Sequence, residues 1–207
     1  MEQTQHLIDQ FGRTINYLRL SVTDRCNLRC SYCTSDQTFP FIPHRDILSY
    51  EECLTLIRLS DSLGVKKVRL TGGEPFVRKD FMHFLGRLKT ELPDLDLRLT
   101  TNGTLLEGRI AGLKAMGIQC LNISLDTLKP EKYARITGRD YFVRVRRAID
   151  ECLDRGIQVK INCVALNGFN DEELADFVNF AKEHPLDVRF IEFMPVGSGT
   201  AWEAHRF

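Results

Sequence analysis

The stretch DRCNLRCSYC, Asp24 to Cys33, sets Cys26, Cys30 and Cys33 in the spacing C-x3-C-x2-C, three of the seven cysteines in a chain of 207 residues. Two cysteines so close would suit a redox couple and four a closed metal site. Three leave a position that something other than protein must fill. A structural zinc is normally four-coordinate, so zinc here would need a fourth ligand from elsewhere. Cys53 and Cys152 fall on the apolar stripes of expected helices, and Cys120 and Cys163 in expected strands. Thiols so placed usually behave as small hydrophobes. A cubane iron–sulfur cluster normally takes four thiolates, and one held by three keeps an iron open. The residues alone admit three readings: a three-cysteine cluster, a zinc site completed from a distance, and incidental clustering. His6, His44, His83, His184 and His205 share no ligand spacing.

Lysine plus arginine equals aspartate plus glutamate at 28 each, so bulk charge points to neither a nucleic-acid nor a membrane partner. Any anionic ligand must be met by locally placed bases. No window approaches 18 apolar residues, and the N-terminus has neither a signal-like apolar core nor a transit-like pattern, so the expectation is a soluble, cytoplasmic protein. In a reducing compartment, clustered thiols point to metal or catalysis rather than to disulfides.

The elements that must carry these residues alternate. Strands are expected near 17–22, 66–71, 95–100, 120–125, 158–165 and 187–193, and helices near 49–63, 80–90, 105–116, 142–155 and 171–183. Ser49 with Glu52, and Asn170 with Glu173, resemble N-terminal caps with a carboxylate reaching back. Gly64, Gly117 and Gly156 each close a helix and lead directly into a strand, which suggests one βα unit reused and hence a parallel sheet. Period-two alternation puts Tyr17, Arg19 and Ser21 on one face of the first strand, Lys67, Arg69 and Thr71 on one face of the second, Asn122, Ser124 and Asp126 on the fourth, and Gln158, Lys160 and Asn162 on the fifth. A sheet sandwiched by helices reads as continuous apolar runs, and these strands have one wet face instead. Two architectures fit: an open partial barrel whose lumen holds a polar ligand, and a twisted sheet with one solvent-facing side.

C-x3-C-x-Y-C after the first strand, with TGGEP (Thr71 to Pro75) at the end of the second, resembles the signature of the radical S-adenosylmethionine superfamily. The resemblance extends to the GTP-cyclising family of molybdenum cofactor biosynthesis through FGRTINYLRLSVTDRCNLRCSYC, GVKKVRLTGGEPFVRKD, LTTNGTLL, LNISLDTL and VRFIEFMPVG, from about Phe11 to Gly197. It implies an α/β fold, a partial (β/α)6 TIM-type barrel of mostly parallel strands with outer helices. It implies a [4Fe-4S] cluster on Cys26, Cys30 and Cys33, with S-adenosylmethionine chelating the open iron and touching Tyr32, Gly73, Ser124 and Met194. It implies GTP as substrate, bound by Arg19, Lys67, Arg69, Thr100, Lys160 and Arg189, and it names no protein side chain as the catalyst. An electron donor such as flavodoxin or ferredoxin, and a homodimer as an assembly state, follow from the same resemblance.

Glycines 72 and 73 suit a strand end where backbone approaches a ligand's polar end. The chain departs from the family at Thr34, where a methionine is usual, and through Phe207 it has no counterpart of the family's C-terminal second-cluster segment or glycine tail. The expectation is therefore a single core domain over 1–207, with an N-terminal arm at about 1–16.

Overall fold

The computed structural model describes residues 6–33 and 41–194. Thr34, the PVG end of the last resemblance block and the final stretch of the chain lie outside the described residues. Among these residues six strands form one sheet: β1 (Tyr17–Ser21), β2 (Lys67–Thr71), β3 (Asp96–Thr101), β4 (Cys120–Ser124), β5 (Gln158–Ala165) and β6 (Leu186–Glu192). They lie in sequence order and every neighbouring pair is parallel, with β1 and β6 as the two edges among the described residues. Among the described residues six α-helices connect them: α1 (Tyr50–Ser62), α2 (Phe81–Glu91), α3 (Ile110–Ala115), α4 (Pro130–Thr137), α5 (Phe142–Asp154) and α6 (Leu174–Glu183).

One face of the sheet makes the core. Val68, Leu70, Leu97, Leu99, Leu121, Ile123, Val159 and Ile161 are buried in one cluster with Leu54, Ile57, Phe84, Leu88, Val145, Ile149 and Phe177 from the helices. Cys53, Cys152 and Cys163 belong to that cluster, and Cys120 is buried in β4, as hydrophobic thiols should be. The alternate residues face the other way, into the lumen of a partial (β/α)6 barrel. Arg69 and Asn122 are buried there, so this face is enclosed rather than a sheet's open side.

The helix starts and stops have local causes. Ser49 Oγ accepts from Glu52 N–H while Ser49 N–H donates to the Glu52 carboxylate, the expected capping box. Asn170 and Glu173 do not form one. Asn170 is fully buried and donates its amide to the carbonyls of Asp126 and Val164, and Glu173 accepts from Thr127 Oγ1 and Leu128 N–H. Tertiary partners have taken both side chains away from the helix end. Expected helix 105–116 shrinks to α3 because Gly108, at φ +73, breaks the run into a turn before Ile110. Helix α4 was not expected at all. Its signals are present, with Pro130 in the first turn and Gly138 as a left-handed cap, but eight residues give too short an apolar pattern to stand out.

A candidate cofactor pocket and a basic lumen

The cysteine loop follows β1 and is sewn to three other strand ends. Gly73 N–H donates to Thr23 O at 2.7 Å, and Glu74 N–H to Arg25 O at 2.7 Å, so the segment after β2 runs against the residues that precede Cys26. Arg29 N–H and Ser31 N–H donate to Thr137 O and Ile136 O, the carbonyls that end α4. The helix that sequence periodicity missed thus holds the loop from the far side. Cys33 N–H donates to Cys30 O at 2.9 Å, closing the turn between the last two thiols.

Cys26, Cys30 and Cys33 line one cavity of about 170 Å³ together with Tyr32, Gly73, Thr100, Ser124 and Asp126. Burial pushes all three thiols up, and each is raised further by a carboxylate: Glu74 for Cys26, Asp126 for Cys30 and Cys33. The thiolates also raise one another, Cys33 acting on both Cys26 and Cys30. None of the described residues lining the cavity is basic. Three mutually repelling thiolates beside a buried carboxylate need positive charge from outside the protein, and metal ions supply it by displacing the thiol protons. No three of the described His, Cys, Asp and Glu side chains converge tightly enough to hold one metal ion. Ligands of a single tetrahedral zinc would sit only about 3.8 Å apart at Zn–S distances near 2.3 Å. A cubane asks for wider spacing, because each thiolate takes its own iron.

Two carboxylates outside the sequence-predicted set organise this end. Glu74 is fully buried and accepts from Phe76 N–H, Thr101 Oγ1 and, at 2.6 Å, Asn102 N–H. Burial raises its pKa, and those three donors partly offset the rise. Asn102 in turn donates toward Cys26 Sγ at 3.7 Å and to Asn27 Oδ1 at 2.9 Å, while Leu28 N–H meets the same sulfur at 3.4 Å. Asp126 accepts from Tyr32 O–H and from Val164 N–H, both at 2.8 Å. Burial pushes its carboxyl up to about 6 against an ordinary 3.8, only partly offset by those two donors. The folded chain therefore takes up this proton first, and the cost of the buried charge above about pH 6 is relieved as pH falls toward 3.8.

Deeper in the lumen the charge reverses. The register sets Arg19 beside Arg69 and Arg69 beside Arg98 across β1, β2 and β3. Arg69, 8% exposed, donates to Tyr17 Oη at 2.6 Å and approaches Leu99 O at 3.4 Å and Thr100 Oγ1 at 3.5 Å. Lys67 lies one pair earlier, about 13 Å along the strand from Thr71 at 3.3 Å per residue, with Asp96 at 3.9 Å. Lys160 on β5 pairs with Asp187 on β6 at 2.5 Å, and Arg189 is exposed on β6 beside Asn162. Asp96 and Asp187 were not anticipated. Each sits directly across from its lysine, a placement visible only once the strands are in register.

Residues 20–181 match the family model of the Radical SAM superfamily. The chain belongs to that superfamily. Members of the radical SAM superfamily use a [4Fe-4S] cluster and S-adenosylmethionine, and a basic-free pocket with three thiols at its wall fits both. Among curated relatives, the GTP 3′,8-cyclase of Nautilia profundicola is 48% identical over 91% of the chain, which spans 59% of that relative. The molybdenum cofactor biosynthesis protein 1 of Drosophila melanogaster is 44% identical over 100% of the chain, which spans 36% of it. The chain therefore covers less than two thirds of these relatives. In fold it is similar to Streptococcus suis SuiB bound to S-adenosylmethionine, with a TM-score of 0.76 at 21% identity over 90% of this chain and 42% of that one.

Within this radical SAM pocket the structure unites Cys26, Cys30, Cys33, Tyr32, Gly73, Ser124 and Thr100. Met194 follows β6 and is 60% exposed, away from the described lining. Arg19, Lys67, Arg69, Lys160 and Arg189 line none of the pocket; they lie on the strand registers just described. The glycines line the pocket and have a second, structural reason beside the expected one. A Cβ on Gly73 would meet Arg25 C at 2.6 Å and Asp24 O at 2.8 Å, and one on Gly72, at φ +154, would collide with Thr23 O. What the missing Cβ admits is the cysteine loop's own backbone. Gly73→Ala should accordingly destabilise the chain by about 1–3 kcal/mol, because the obstructing atoms are main chain. Urea denaturation measures it; a midpoint equal to wild type would remove the packing role.

Proposed function

We propose that this chain is the radical-generating and nucleotide-binding core of a GTP 3′,8-cyclase, a lyase-type enzyme. The reaction converts GTP to (8S)-3′,8-cyclo-7,8-dihydroguanosine 5′-triphosphate in molybdenum cofactor biosynthesis. The observation that carries the reading is the polarity of the lumen: thiols and carboxylates at the strand C-termini, guanidinium and ammonium groups toward the other end. A sulfonium cofactor suits the first end and a triphosphate the second. The names of the relatives, at 48% and 44% identity, support the same choice.

In this reading Cys26, Cys30 and Cys33 hold the cluster, and Tyr32, Gly73, Ser124 and Met194 contact S-adenosylmethionine. When bound, that pair supplies one-electron cleavage chemistry that generates a carbon radical. The chain's own residues place and protect. Tyr32 is held by its hydrogen bond to Asp126, and its ring meets Phe193 edge-on at 6.0 Å, so its position at the pocket is set from two sides. Arg19, Lys67, Arg69, Lys160 and Arg189, with Thr100, hold the triphosphate and ribose of GTP. Arginine's planar fork matches phosphate oxygens, and the enclosed position of Arg69 strengthens the pair beyond surface values. The reading takes 1–207 as one core domain behind an arm at about 1–16. It also assigns a flavodoxin or ferredoxin as electron donor, a cytoplasmic setting and a homodimer. No helix among the described residues is long and apolar enough to cross a membrane.

Anaerobic reconstitution followed by dithionite reduction tests this. The expected result is 5′-deoxyadenosine release that rises with GTP and carries deuterium from GTP labelled at C3′. Release indifferent to GTP, with no label in the product, would leave the superfamily assignment and remove the substrate.

A further inference from the structure

Two amide side chains lie unmatched where the pocket meets the basic residues. Asn122 on β4 is 4% exposed, and its Oδ1 is buried with no hydrogen-bond partner. Asn162 on β5 has an equally buried Oδ1 with none. Native structures leave few buried acceptors unpaired, and a pair on one enclosed face calls for a ligand. The register locates them closely. Asn122 stands between Thr100, which lines the pocket, and Lys160; Asn162 stands between Ser124, which lines it too, and Arg189. Each amide therefore has the pocket on one side and a cation on the other.

In a nucleoside triphosphate the group between the reacting carbon and the phosphates is the ribose, whose vicinal hydroxyls each donate and accept. A hydroxyl satisfies an amide whichever end of it faces the ligand. We propose that Asn122 and Asn162 form a subsite for the ribose 2′,3′-diol of the nucleotide and so position its C3′ beneath the pocket. This rests on the GTP reading given above. The same diol chemistry exists in S-adenosylmethionine, but the flanking Lys160 and Arg189 favour the polyanion as its source.

Equilibrium binding of GTP, 2′-deoxy-GTP, 3′-deoxy-GTP and S-adenosylmethionine to the reconstituted chain tests it. Wild type should bind each deoxy analogue about tenfold more weakly than GTP. In Asn122→Ala and Asn162→Ala, GTP affinity should fall to that of the analogues, the analogues should be unchanged, and the ribo-to-deoxy ratio should collapse toward one. Asn162 is the less buried, and its variant carries the test if the Asn122 variant melts early. A ratio that survives substitution, or a loss confined to S-adenosylmethionine, overturns the subsite and leaves the GTP reading standing. Wild-type protein that binds no GTP overturns both.

Discussion

Cys30→Ala should leave the chain unable to retain iron after anaerobic reconstitution and desalting, where wild type holds about four irons per chain. Cys30 lines the same cavity as Cys26 and Cys33, which sets the three cysteines around one volume. Each thiolate of a cubane anchors one iron, so two thiolates leave half the cluster without protein ligands. The informative control is Cys53→Ala. Cys53 is as much a cysteine, but it is packed in the core on α1. Its loss should cost stability and spare the iron. Equal iron in wild type and Cys30→Ala would mean that the triplet is not the ligand set. Equal loss in both variants would mean that iron retention only reports folding.

Arg69→Ala should weaken GTP binding by about 1.5–3 kcal/mol, roughly 10- to 150-fold in Kd, as expected for removal of a charge-assisted contact. Arg69 is the enclosed member of the basic set. Arg19 and Arg189 are exposed, and Lys67 and Lys160 already face Asp96 and Asp187. A cation held at 8% exposure by Tyr17 and Thr100 is preorganised and little screened. Arg69→Lys should recover only part of the affinity, since ammonium keeps the charge and loses the planar fork. Titration calorimetry with GTP reads all three proteins. Unaltered affinity in Arg69→Ala would return this residue to a purely structural role, tying β1 to β3 through Tyr17 and Leu99.

Much of this architecture was legible because its determinants are local. Six strands declared themselves by short β-rich runs, four of them with clear alternation, and Gly64, Gly117 and Gly156 mark helix ends at φ +90, +76 and +66, as their positions before each strand suggested. The cysteine triplet and the paired glycines gave the pocket for the same reason. What stayed hidden depends on partners far along the chain. Asn170 and Glu173 carry the pattern of a cap, and only the fold reveals Asp126 and Thr127 as their partners, 44 and 46 residues away. Asp96 and Asp187 look like ordinary strand-end acids until the register sets them opposite Lys67 and Lys160. Helix α4 was too short for periodicity, yet its last carbonyls hold Arg29 and Ser31. Alternation puts Asp126 on the wet face with Asn122 and Ser124, yet one acid after a strand carries no signal that it is buried and bonded to Tyr32.

The central claim is that three protein thiols hold a cubane whose remaining iron is left for a small molecule. Electron paramagnetic resonance of the reduced, reconstituted chain, recorded with and without S-adenosylmethionine, addresses it directly. The account predicts one cluster per chain whose signal changes on addition of S-adenosylmethionine, because the added molecule enters the iron's coordination sphere. A signal identical in both samples, from a cluster shown to have four protein ligands, would contradict it.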